Sequence, residues 1–139
     1  MSKIINLPKH NYEIIVPLKK TSIEKAEQFL KNTNIKHYKK IIGINPGSGK
    51  RWNLKKWTLK GFIEIAKYLS QKGHLILPIG DINDKNEINT ILKENISNVV
   101  SAGTDNSVMD FFAKINLCDV VICGDTMALH AAAGLKKIL

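Results

Sequence analysis

From residue 41 onward, short apolar runs alternate with stretches of helical periodicity, and the alternation repeats four times. Ile41–Asn45 is apolar and β-branched and breaks into a Pro-Gly turn, so it predicts a first buried strand. Thr58–Gln71 places Leu59, Phe62, Ile63, Ala66 and Leu69 on one helical face, with Gly73 as its stop. His74–Ile79 predicts a second strand and Asp84–Glu94 a helix, with Ile88, Ile91 and Leu92 inward and Asp84 and Glu87 as a capping box. Asn98–Ser101 is a short third strand. Ser107–Leu117 is a helix with Ser107 and Asp110 in capping positions and Val108, Phe111, Phe112 and Ile115 on one face. Asp119–Cys123 is a fourth strand, Thr126–Ala133 a helix closed by Gly134, and Lys136–Leu139 the opening of a fifth strand.

Strands alternating with helices predict an α/β fold: a Rossmann-like parallel sheet with helices on its faces and right-handed crossovers. In such sheets ligands bind at the carboxyl ends of the strands, near a switch in strand order. The turns at 45–52, 80–84, 101–107 and 124–127 all leave carboxyl ends. Residues 1–40 form a separate lead-in. Tyr12–Pro17 reads as a short strand or extended linker, and Thr21 opens a helix with Glu24 as its capping box and Ile23, Ala26, Phe29 and Leu30 on its apolar face. Residues 41–139 form the domain proper, and a chain stopping at a fifth strand reads as incomplete.

Composition narrows the classes. With 139 residues, 44% hydrophobic, the chain is long enough for one domain with a true core. Net charge is +9, from 21 Lys and Arg against 12 Asp and Glu, with lysine scattered along the chain. That excess fits an attraction to phosphorylated ligands or an anionic surface, or a plain compositional bias. No nucleic-acid-binding motif supports a nucleic-acid partner. Cys118 and Cys123 are not a CxxC pair and lie in or beside an apolar run, which fits buried thiols in a reducing cytoplasm.

Two turns carry the candidate chemistry. In Asn45-Pro46-Gly47-Ser48-Gly49-Lys50-Arg51-Trp52, Gly47 and Gly49 allow backbone amides near an anion, Lys50 supplies a mobile charge and Arg51 a bidentate fork. Ile44 and Arg51 exclude a Walker A loop. Alone, a solvated turn with two surface cations fits this stretch equally well. In Gly124-Asp125-Thr126-Met127-Ala128-Leu129-His130, Asp125 and Thr126 stand at a helix N-terminus, where amides favour phosphate; the Asp there suits a cap or sugar hydroxyls. His130 reads as a packed, hydrogen-bonded histidine, and Trp52 and Trp57 as core more than as a cover for a base. Asp84 is a candidate for ribose hydroxyls, with helix capping the simpler reading. Asp81–Leu92 fails as a calcium loop, and no nucleophile triad or His/Cys metal cluster is present.

With both turns placed, the chain resembles glycosyltransferase family 9, the ADP-heptose:lipopolysaccharide heptosyltransferases, in their C-terminal half. The resemblance is carried by Asn45-Pro46-Gly47-Ser48, Lys50-Arg51-Trp52, Trp57, Phe62, Leu75–Gly80, Ser107, Asp125-Thr126 and His130. It implies one half of a GT-B architecture that holds a nucleotide-sugar donor. It implies that Ser48 and Lys50 lie at the donor phosphates, Asp84 at the nucleoside, Asp125 at the transferred sugar and Thr126 at the diphosphate. The implied reaction is inverting, needs no metal or other cofactor, and transfers heptose or a similar sugar to a lipopolysaccharide or other glycan acceptor. The implied place is the cytoplasm, with peripheral contact at an anionic membrane. Met127 departs from the family's glycine, and the acceptor domain that supplies the general base is absent from the chain. A non-catalytic phosphate-ligand module or degenerate fragment is the alternative.

Overall fold

The computed structural model describes residues 13–47 and 57–139. Three parallel strands, β1 (Ile41–Asn45), β2 (Leu75–Pro78) and β3 (Val120–Cys123), form a sheet in the order β2-β1-β3. Ile41 pairs with Leu75 and Ile44 with Pro78 on one side of β1; Ile42 pairs with Val120 and Asn45 with Cys123 on the other. The predicted third and fifth strands run parallel beside the outer strands as single bridges, Val99 next to Ile76 and Ile138 next to Val120. The third is nonetheless well tied: Ile76 N donates to Asn98 O at 2.8 Å, and Val100 N and Ala102 N donate to Ile76 O and Pro78 O at 3.0 Å. Strand order therefore reverses at β1, and the crevice between the ends of β1 and β3 is the switch point.

The described residues hold five α-helices: α1 (Lys20–Lys31), α2 (Leu59–Gln71), α3 (Lys85–Lys93), α4 (Val108–Leu117) and α5 (Met127–Gly134). Alternation along the strands sorts the core into two layers. Ile41, Leu75, Leu77 and Val121 face a layer with Phe111, Ile115, Ala128 and Ala131 from α4 and α5. Ile42, Ile44 and Ile76 face Phe62 and Ala66 of α2 and Ile91 of α3. Every residue of β1 is buried, as expected of a parallel strand covered on both faces.

Most ends are set by the residues expected. Thr58 caps α2, its hydroxyl accepting from Gly61 N at 3.1 Å. Gly73 takes φ +86 just beyond the end of α2, a left-handed turn that suits glycine. Ser107 caps α4, accepting from Asp110 N at 3.2 Å. Two expectations fail. Helix α1 starts one residue early, at Lys20, after an extended Lys19 with no side-chain cap, so Thr21 lies inside the first turn and forms no capping box. The second box is displaced as well. Asp81 caps a 3₁₀ turn at Ile82–Asp84, and Asp84 closes the box by accepting from Asp81 N at 3.1 Å. Asp84 itself takes φ −91, ψ 3, not the extended cap conformation, and makes no cap bond to α3; Glu87 is not the partner.

Residues 13–19 are extended without pairing as a strand. Ile14 and Val16 lie against Gly134 at the end of α5, where a Cβ would come within 2.6 Å of Val16. Helix α1 packs on α4, with Phe29 and Leu30 against the core and Lys25 Nζ 3.6 Å from Asp110 Oδ2. The lead-in helix is thus part of the folded body.

Gly43 is a test of this packing. A Cβ there would meet Cys118 Sγ at 2.8 Å and Ile79 at 3.4 Å, and Cys118 is fully buried, its thiol pushed up to about 12 by burial. Gly43→Ala is expected to cost about 1–3 kcal/mol through overpacking. Urea denaturation checks it, and adding Cys118→Ala is expected to recover part of the loss because it removes the atom in the way. An additive double variant would contradict this packing.

Candidate functional site

The carboxyl ends of β1, β2 and β3 converge on a cleft of about 350 Å³. Its walls are Asn45 and Gly47 after β1, Asp81, Asn83 and Asp84 after β2, Phe111 from α4, and Asp125–Ala128 after β3. The two turns singled out in the sequence, 45–47 and 124–128, do face one space, and Asp84 joins them. Ser48 and Lys50, with Arg51 and Trp52, lie outside the described residues.

Thr126 is where the sequence placed it. It is extended, φ −136, ψ 174, and caps α5 by accepting from Ala128 N at 3.2 Å. Its hydroxyl proton goes to Asn45 Oδ1 at 3.0 Å. Asp125 is exposed at the cleft, one residue before the helix. Met127, 46% exposed, also lines the cleft, so its side chain faces the space a ligand would use.

Asp84 is more confined than a surface acid. A Cβ on Gly47 would fall 2.1 Å from its Oδ1, and one on Gly80 2.6 Å from its Oδ2. Both glycines are therefore required by the seat of this carboxylate, a role distinct from the anion cradle expected of Gly47. Burial raises the Asp84 carboxyl above the ordinary 3.8, opposed by the hydrogen bond from Asp81 N, reinforced by the Asp81 charge, with smaller effects from Asn45 and Glu87.

Sequence reasoning missed Asn45 as a working residue. It ends an otherwise apolar strand and is 4% exposed. A polar side chain at the end of a doubly covered strand is the signal that could have found it, since buried polar groups must be hydrogen-bonded. Its Nδ2 donates to Ile79 O at 2.8 Å and points to Asp84 Oδ2 at 3.5 Å. Two other expectations change. His130 is exposed, because the buried positions of α5 are the alanines Ala128, Ala131 and Ala132. Trp57 is 49% exposed, stacked edge-on to Phe62 at 4.9 Å over the first turn of α2, and is not among the cleft's lining residues.

The described lining holds three carboxylates and no cation. Acids accept hydrogen bonds from hydroxyls and repel phosphate, so this part of the cleft suits the hydroxyl-rich portion of a ligand. Among the described lining, the α5 N-terminus at Met127 is the place whose helix dipole favours phosphate, with Ala128 N already taken by Thr126 Oγ1. Among the described residues, no group of three or more His, Cys, Asp or Glu gathers to hold a metal ion, and no helix is long and apolar enough to cross a membrane.

Comparison with known proteins now decides the family. The model of glycosyltransferase family 9 (heptosyltransferase) matches residues 1–139. The chain belongs to glycosyltransferase family 9. Within this family it is 30% identical, over 105 residues, to lipooligosaccharide heptosyltransferase 2 of Campylobacter jejuni subsp. jejuni serotype O:6, a match that takes in 73% of this chain and 33% of that protein. Among solved structures it is similar to the ADP-heptose LPS heptosyltransferase II of E. coli, with a TM-score of 0.78, 19% identity, and coverage of 94% of this chain and 40% of that one. It is also similar to the family 9 glycosyl transferase of Veillonella parvula DSM 2008, with a TM-score of 0.81, 18% identity, and coverage of 92% and 36%. A heptosyltransferase solved with ADP, E. coli WaaC, is a further neighbour, with a TM-score of 0.61, 18% identity, and coverage of 81% and 34%. The chain spans about a third of the length of the curated relative it matches. These structural likenesses establish the parallel α/β fold, and the family match agrees with the resemblance carried by the 45–52 and 124–130 turns.

The raised Asp84 sets a pH dependence. The native state keeps this proton to higher pH than the unfolded chain, so the Asp84 contribution to stability is greatest below the ordinary 3.8 and declines as pH rises through its native value. Asp84→Asn is expected to remove that decline. Urea midpoints measured across the acid range check it, and identical pH slopes in the two proteins would contradict it.

Proposed function

We propose that this chain is the donor-binding part of a heptosyltransferase-like glycosyltransferase, one half of a GT-B architecture. It would hold a nucleotide-diphosphate sugar for transfer to a lipopolysaccharide or related glycan. The observation that carries this reading is the convergence of Asn45–Gly47, Asp81–Asp84 and Asp125–Ala128 on one cleft at the switch point of a family 9 chain. Ligands of the structural neighbours support the donor class: WaaC was solved with ADP and with ADP-2-deoxy-2-fluoro heptose.

In this reading the roles divide by chemistry. Asp84 accepts from nucleoside hydroxyls and Asp125 from those of the transferred sugar. The amides at the start of α5, with Thr126, face the diphosphate, and Ser48 and Lys50 close on it from the other turn. An acceptor hydroxyl attacks the anomeric carbon with inversion, the glycosidic C–O bond to the diphosphate breaks, and the nucleoside diphosphate leaves with the electron pair. Lys50 and the α5 amides offset the charge that grows on the leaving group, so no metal is needed. In this reading the general base for the acceptor hydroxyl comes from outside the described lining of the cleft. The setting is cytoplasmic, at the inner face of an anionic membrane. A non-catalytic nucleotide- or phosphate-ligand-binding module or degenerate fragment is the second reading.

Calorimetric titration with ADP, ADP-sugars and UDP-sugars tests the assignment. Lys50→Ala and Asp125→Ala are each expected to weaken donor binding at least about tenfold, the scale of a lost charged hydrogen bond, with melting temperature nearly unchanged. Unaltered affinity in both variants would overturn the donor reading. Donor binding without sugar transfer to a lipopolysaccharide acceptor would favour the non-catalytic module.

A further inference from the structure

We propose that Asn45 is a positioning residue of the cleft: its one carboxamide holds the Asp84 carboxylate and the Thr126 hydroxyl in a fixed mutual geometry. The inference rests on the donor reading for its functional consequence. It concerns residues on three separate strand ends, and no residue of the group is near another in sequence.

The hydrogen bonds leave Asn45 little freedom. Nδ2 has two protons; one goes to Ile79 O at 2.8 Å and the other points to Asp84 Oδ2 at 3.5 Å. Oδ1 accepts from Thr126 Oγ1 at 3.0 Å. A flipped carboxamide would set its oxygen against the Ile79 carbonyl, two acceptors face to face, so the orientation is fixed by the main chain of β2's exit. Thr126 is fixed in turn. Its hydroxyl gives its proton to Asn45 and keeps its lone pairs for Ala128 N, the first turn of α5. Asp84 is held by Gly47 and Gly80 on either side and by Asp81 N on Oδ2. The Asn45 side chain is therefore the element common to the nucleoside acid and the cap of the diphosphate helix. Its position at the reversal in strand order, between β2 and β3, is the only place in the described sheet from which one side chain reaches both exits.

Two readouts separate positioning from general support. The first uses the ligand-free chain: an NMR pH titration of the Asp84 carboxyl carbon. The charges facing Asp84 are Asp81 and Glu87 from its own segment, with Asp125 on the opposite wall of the cleft. None of these changes in Asn45→Ala, so loss of the Nδ2 dipole is expected to move the Asp84 midpoint upward. Asn45→Asp, isosteric and still an acceptor for Thr126, is expected to move it further, because a like charge replaces a donor. The second readout is ADP affinity, expected to fall roughly tenfold in Asn45→Ala, which corresponds to about 1.4 kcal/mol. Combining Asn45→Ala with Thr126→Val is expected to cost less than the product of the single losses, since both cut the same bond.

An unmoved Asp84 midpoint in both Asn45 variants would overturn the proposal. So would a moved midpoint with undiminished ADP affinity. If the wild-type chain binds no ADP or nucleotide sugar while the midpoint still moves, the held geometry stands and the donor reading is what falls. Should Asn45→Ala not fold, Asn45→Asp supplies both the titration and the affinity.

Discussion

A carboxamide buried where a parallel sheet runs out is the constraint on which the cleft depends. Parallel strands covered on both faces bury their ends as well as their middles, and a polar side chain there must find partners within the protein. Asn45 finds them on the exits of β2 and β3. Its bonds close the crevice into a defined space instead of leaving three loops to settle separately. The same logic explains the glycines at 47 and 80, which leave room for a carboxylate where a methyl group would not fit.

From this follows a division of labour within the cleft. Acids occupy the described wall, and the N-terminus of α5 opens on the same space at Met127. A ligand with hydroxyls at some positions and a diphosphate at another would match that layout, which is the ground for proposing a nucleotide sugar. Met127 adds an apolar, half-exposed side chain to the same wall.

Much of the fold was legible because its causes are local. The run Ile41–Asn45 has the bounds of β1, Thr58 and Ser107 cap the helices they precede, and Thr126 opens α5. The two outer segments pair only through single bridges, Val99 beside Ile76 and Ile138 beside Val120. The Thr21 cap was misplaced because α1 begins at Lys20 and takes Thr21 into its first turn, and Asp84 fails as a cap because the 3₁₀ turn at Ile82–Asp84 runs straight into α3 and denies it the extended conformation a cap needs. The site was only half legible. Asp84, Asp125 and Thr126 announce themselves as polar residues in turns. Asn45 does not, since its partners lie 34, 39 and 81 residues away and emerge only once three strands are aligned. Fold-scale periodicity reveals which ends meet, but not which side chain ties them.

The most direct test of the central claim, that one donor cleft is built from three strand ends, is an amide chemical-shift map of the chain titrated with ADP and then with an ADP-sugar. A single cleft requires saturable shifts at residues 45–47, 80–84 and 125–129 together, with the ADP-sugar adding shifts around Asp125. Saturable shifts confined to one of these segments, or centred on the opposite end of the sheet around Lys39 and Gly73, would contradict it.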